Sequence, residues 1–151
     1  MRMATVTLVA ALALRAAHAD AGSCSLSSVT GVSFGTYSVF DTAPVSSAGS
    51  LTYVCTGVQA SDRVTIELSI DSEDTALRTM TAGVHALRYQ LFLDPARTII
   101  WGTGAGGTSS YGPIAPAEAT PTVVPIYGVL PARQDIPAGS YHDTVVVTLM
   151  L

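Results

Sequence analysis

Residue types that could do chemistry fall in four places. Gly102-Thr103-Gly104-Ala105-Gly106-Gly107 fits G-x-G-x-x-G and follows the β-rich run "RTIIW". As a dinucleotide fingerprint that pattern needs a helix opening at its end, whose N-terminus receives the pyrophosphate. The next residues, "TSSYGPIAPAEATP", carry three prolines and cannot be that helix, and the chain has no lysine for a phosphate loop. A glycine-rich hairpin or loop is expected here, with no cofactor. Ser140, His142 and Asp143 supply the types of a hydrolase triad. On a strand, however, His142 and Asp143 point to opposite faces, and no G-x-S-x-G elbow exists.

Asp71, Glu73 and Asp74 in "IDSEDT" offer oxygen ligands of the kind calcium takes. They lack the spacing of a calcium loop, so a solvated acidic turn is expected and no metal. Arg78 and Arg88 each suit an acid partner or the sheet surface, and His85 stands alone in a loop. The residue types do not make an enzyme.

Cys24 and Cys55 are the last candidates. An even pair in an exported chain is most simply a disulfide, which closes a loop of about 30 residues and stabilises the fold by roughly 3–4 kcal/mol. A metal site needs three or four ligands, and His85 and His142 are the only histidines available beside them after residue 19, at no recognised spacing.

Export itself is read from residues 1–19. Arg2 gives a positive start, Ala4 to Leu14 an apolar run, and Ala17-His18-Ala19 a small-x-small cleavage site. The expected organisation is a signal peptide over 1–19 and one domain over 20–151. The leader's run is too short to span a bilayer, and no later segment has 18 consecutive apolar residues, so no membrane insertion is expected after its removal. Losing Arg2 and Arg15 leaves five arginines against eleven Asp and Glu, a net charge of −6. Such a chain is a poor binder of nucleic acid and of anionic lipid, both of which are recognised by cationic stripes.

The elements that must position these residues are strands. "RVTIELSI" (63–70) alternates Val64, Ile66, Leu68 and Ile70 against polar residues, the period of a half-buried strand. "LRYQLFLD" (87–94) and "SLTYVC" (50–55) alternate likewise, which turns Cys55 toward the core. "RTIIWG" (97–102) and "TVVPIYGVL" (122–130) are further β-rich runs, and Pro125 suggests an edge or a bulge. In the last run, "SYHDTVVVTLML" (140–151), Val145, Val147, Leu149 and Leu151 share a face. "DTAPVSSAGS", "GTGAGGTSSYGPIAPAEATP" and "PARQDIPAGS" are expected as loops. Only Ser72 to Met80 tolerates a helix, of two or three turns. Short strands at regular spacing indicate an all-β antiparallel sandwich or barrel.

Taken in order, "GVSFGTY" (31–37), "AGSLTYVCTG" (48–57), Arg78 and Met80, "LRYQLFLD", "WGTG", "PIYGVLP" (125–131), Gln134 and "IPAGSYHDTVVVTL" (136–149) resemble the spore coat protein U family. That family includes subunits of Csu-type archaic chaperone–usher pili, and the resemblance covers essentially all of residues 20–151. It implies a disulfide between Cys24 and Cys55 and an immunoglobulin-like sandwich, which in pilus members lacks its last strand. It also implies a non-enzymatic structural protein, passing through the periplasm to the cell surface, a pilus or an extracellular coat. The implied partners are a periplasmic pilus chaperone, an usher and other pilus or coat subunits.

In such subunits a strand from the chaperone, and later from a neighbour, adds to an open edge and fills an apolar groove. Val145, Val147, Leu149 and Leu151 suit that edge, and equally suit an ordinary last strand. A donor arm needs about ten extended residues, near 33 Å at strand rise. After cleavage at Ala19 only "DAGS" precedes Cys24, so this chain is expected to accept a donor strand and not to provide one. Two alternatives stand beside this subunit: a free-standing secreted coat protein, and a small adhesive or carbohydrate-binding module using Trp101 and Tyr111, with Trp101 equally suited to the core.

Overall fold

The computed structural model describes residues 21–69 and 77–151, all in strands, turns and extended loops, with no helix among them. The expected leader and the Asp71–Glu73–Asp74 cluster lie outside the described residues. Eight strands follow in chain order: β1 Ser23–Thr30, β2 Val45–Thr56, β3 Val64–Ser69, β4 Arg78–Ala82, β5 His85–Phe92, β6 Tyr111–Ile114, β7 Thr122–Leu130 and β8 Val146–Met150. They form two antiparallel sheets, a five-stranded one in the order β1-β2-β7-β5-β4 and a three-stranded one in the order β6-β3-β8.

The period-two pattern explains the layering. Val64, Ile66 and Leu68 of β3 face Leu51, Tyr53 and Cys55 of β2, Leu87, Tyr89 and Leu91 of β5, and Val124, Ile126 and Leu130 of β7. Each of these is at most 7% exposed. Burial of such side chains stabilises the fold by roughly 1.5–3 kcal/mol apiece, which fixes the register of every strand that carries them. The Cys24–Cys55 disulfide joins β1 to β2 at a position where the two residues are direct register partners.

Several expectations about the loops change. β2 begins at Val45, inside the Ser/Ala/Gly-rich stretch expected to be a loop. Its small residues belong to a strand because Ser47 pairs with Gly128 of β7, and another segment crosses over both. β6 arises within the glycine- and proline-rich stretch after residue 102. Residues 97–102 make isolated bridges instead of a strand, Ile100 with Phe92 and Trp101 with Ser109. The carboxylate of Asp94 shapes that turn, accepting hydrogen bonds from the N–H of Thr98 and Ile99. Where a short helix was expected over 72–80, Arg78–Met80 is strand; the earlier part lies outside the described residues. His85 opens β5 instead of lying in a loop. Pro125 sits where β7 has β2 as a neighbour but not yet β5, so its missing N–H interrupts no ladder with β5.

A groove between two unpaired backbones

The candidate chemical residues separate once placed on this frame. The glycine-rich loop folds back on itself: Thr108 N–H bonds Ala105 C=O at 3.0 Å and Gly102 N–H bonds Ser109 C=O at 2.8 Å. Gly104, Gly106 and Gly107 take positive φ, and strand β6 follows instead of a helix. His142 is held through its backbone by Thr81 of β4. The Asp143 carboxylate accepts from Tyr89 Oη at 2.5 Å and from Thr144 N–H at 2.8 Å, not from His142. No triad forms. Among the described residues no cluster of His, Cys, Asp and Glu could hold a metal ion.

Trp101, a candidate for surface contact, is 0% exposed, and its indole N–H donates to Ile66 C=O at 3.0 Å. Of the two roles expected for it Trp101 takes the core one, and it is corrected as a surface contact because a side chain with no accessible face stacks on nothing outside the protein. Tyr111 is half-buried, its ring centroid 6.2 Å from that of Trp101 and 6.4 Å from that of Tyr53. Burial, and then its hydrogen bond with Tyr53, push the Tyr111 hydroxyl pKa up to about 12.

What the fold does assemble is a groove of about 1040 Å³. Its floor is core: Leu68, Leu87, Tyr89, Leu91, Ile126 and Leu130. One wall is β8 with its lead-in, from Ile136 to Val147; the other is segment 31–40, which bends at Gly35 and ends in a turn at Val39–Phe40. β8 pairs with β3 along one side and ends its sheet, so half its N–H and C=O groups bond to no strand among the described residues. Val145 and Val147 line the groove, Leu149 packs half-buried on the core, and Leu151 lies beyond the strand at 44% exposed.

The opposite wall is equally open. Residues 32–40 join no sheet ladder; the hydrogen bonds of their backbone are Ser33 C=O with Ser47 Oγ, Phe40 N–H with Ser38 Oγ at 3.3 Å and Ser38 C=O with Asp41 N–H at 3.2 Å. Val29 at the groove's mouth shows the same deficit. It is the register partner of Leu51 and shares its face, yet Val29 is 53% exposed where Leu51 is 0%. Leu26, opposite Tyr53, is 36% exposed for the same reason: three strands do not cover five.

Segment 31–40 stays in place because the sheet below it is notched. Ser47 and Gly128 are neighbours in register, and a Cβ on Gly128 would lie 2.6 Å from Val32 Cγ1 and 2.8 Å from Phe34 Cζ. Ser47 Oγ donates to Ser33 C=O at 2.6 Å, and the Phe34 ring meets Tyr89 edge-on at 6.1 Å. The "GVSFGTY" and "PIYGVLP" stretches are therefore two halves of one contact.

Behind the floor lies Arg78, missed as a core residue because arginine is ordinarily exposed. It is 0% exposed and donates through Nη2 to Leu68 C=O at 3.1 Å and Trp101 C=O at 2.9 Å. Burial lowers its pKa, opposed by Tyr89 and Asp143. Burial raises that of Tyr89, with Asp143 adding to the rise. The result is a tie between β4, β5 and the lead-in to β8.

Comparison with known proteins agrees with this architecture. The Csu-pilus complex of a chaperone with its tip adhesion subunit (CsuC–CsuE, Acinetobacter baumannii), captured before assembly, superposes with a TM-score of 0.55 at 21% identity. That match covers 86% of this chain and 40% of the solved one. Protein U of Myxococcus xanthus is 33% identical over 146 residues, covering 85% of this chain and 77% of that protein. The profile of the Spore Coat Protein U domain matches residues 9–148. With nearly its whole length matched, this chain belongs to the Spore Coat Protein U domain family.

Proposed function

We propose that the chain is an exported, non-enzymatic subunit of a surface pilus or coat, whose groove accepts one extended strand from another polypeptide. The observation that carries this is the open edge of β8 and the segment 31–40, which joins no sheet, on the two sides of an apolar floor. A strand laid between them gains main-chain hydrogen bonds on both sides and buries alternate side chains against Leu91 and Ile126. It would extend the three-stranded sheet over β1 and cover Val29.

A periplasmic chaperone is the first donor and a neighbouring subunit the second, with an usher between the two stages. The solved relative supports this, being itself a chaperone–subunit complex. With processing after Ala19, four residues precede Cys24, too few to serve as a donor in return. Mass spectrometry of the secreted product should then give Asp20 as its first residue; retention of residues 1–19 would contradict it. The direct test is periplasmic expression with and without a candidate chaperone. A stable one-to-one complex, formed by the co-expressed pair and by the lone chain on addition of the chaperone, is the expected outcome. Reversible folding of the lone chain to a monomer that ignores the chaperone would sink the proposal.

A further inference from the structure

The groove's second wall has no backbone ladder to hold it, so its position must come from side chains. Two supply it at the end farthest from β1. Tyr37 Oη donates to Pro131 C=O at 3.0 Å and accepts from Gln134 N–H at 2.8 Å. The Gln134 side chain in turn closes a two-way bond with Arg88: its Oε1 accepts Arg88 N–H at 2.8 Å, and its Nε2 donates to Arg88 C=O at 2.8 Å. Nε2 also donates to Pro131 C=O at 3.1 Å. β7 pairs with β5 only over Gln90–Phe92, so at Arg88 the Gln134 amide stands in for the next residue of a strand.

We infer that Tyr37 and Gln134 form a latch that sets the width of the strand-accepting groove. This rests on the donor-strand reading for its function, though the latch itself does not. Phe34 and Val32 seat the middle of segment 31–40 in the Gly128 notch; the latch fixes its far end to β5 and β7 through one phenolic oxygen. Without it, the wall is free to lift while the sandwich beneath stays closed. Tyr37 and Gln134 are thus positioning residues: the Tyr37 ring packs at the margin of the core, and its hydroxyl with the Gln134 amide decides how far segment 31–40 stands from β8.

The test uses the secreted protein and its Tyr37→Phe and Gln134→Ala variants. Amide hydrogen exchange is followed residue by residue, and so is release of a labelled peptide of about ten residues, alternating valine and threonine between terminal lysines. Each variant should speed chymotryptic cleavage within Phe34–Phe40 and peptide release roughly tenfold, and leave amide exchange in β2, β5 and β7 unchanged except at Arg88, whose N–H loses its acceptor in Gln134→Ala. Unchanged cleavage within Phe34–Phe40, or faster amide exchange throughout the sandwich, would overturn the latch. If cleavage within Phe34–Phe40 rises but the unmodified protein holds no peptide, the latch stands and the donor-strand reading fails.

Discussion

Replacing Gly128 with alanine adds one methyl group at the point where the groove's second wall rests on the large sheet. Gly128 is not among the glycines of positive φ, so the backbone accepts alanine and the effect is steric. The new carbon would lie 2.6 Å from Val32 Cγ1 and 2.8 Å from Phe34 Cζ, about an ångström inside ordinary contact. Neither neighbour yields easily. Valine is held near one χ1 rotamer by its β-branch, and the Phe34 ring is lodged against Tyr89. Overpacking of this kind costs roughly 1–3 kcal/mol, and the lost freedom of glycine in the unfolded chain returns about 0.4–1 kcal/mol. The expected net loss is about 1–2 kcal/mol, read as a lower urea midpoint at constant slope. Val32→Ala in the same background should recover part of it, since it removes the closest atom while the Phe34 contact remains, and the two sites are coupled. A neutral Gly128→Ala, or a loss that Val32→Ala deepens, would refute the seating of segment 31–40 in this notch.

Two further outcomes follow from the core. Trp101→Ala should cost roughly 3–5 kcal/mol and abolish secretion, as for a wholly buried indole, where an adhesive role would leave secretion normal and remove attachment. For Tyr89, burial followed by the hydrogen bond to Asp143 raises the hydroxyl pKa above its ordinary value near 10. The folded state then keeps a proton that the unfolded chain releases. Stability is therefore full below about pH 10 and falls as pH rises toward the raised value, and urea titrations from pH 9 to 11 should show a shallower decline in Tyr89→Phe.

Much of this was legible from residue order because the core obeys period two. β3, β5 and the buried half of β2 read directly as alternating strands, and Cys55 turned inward with them. What period two cannot reveal is strand built from small residues. The first half of β2 looks like a loop because its Ser, Ala and Gly side chains are small for a crossing segment, not for flexibility. β6 is four residues long and carries a proline, too little pattern to stand out. Arg78 was legible only as a recurring residue of the family, since no local signal tells that an arginine is buried against two distant carbonyls. Trp101 carried two meanings, and only its place between the sheets decides between them. The groove was the least visible feature, because its walls are defined by hydrogen bonds that are not made.

The most direct test of the donor-strand proposal is amide exchange along β8, Val146–Met150, in the chain alone and in its native surface assembly. Inside the assembly all five amides should be protected. In the lone chain, protection should alternate, with amides facing β3 slow and those facing the groove fast. Uniform protection of β8 in the lone chain would mean that its outer edge is already satisfied, and that no strand from another polypeptide is needed there.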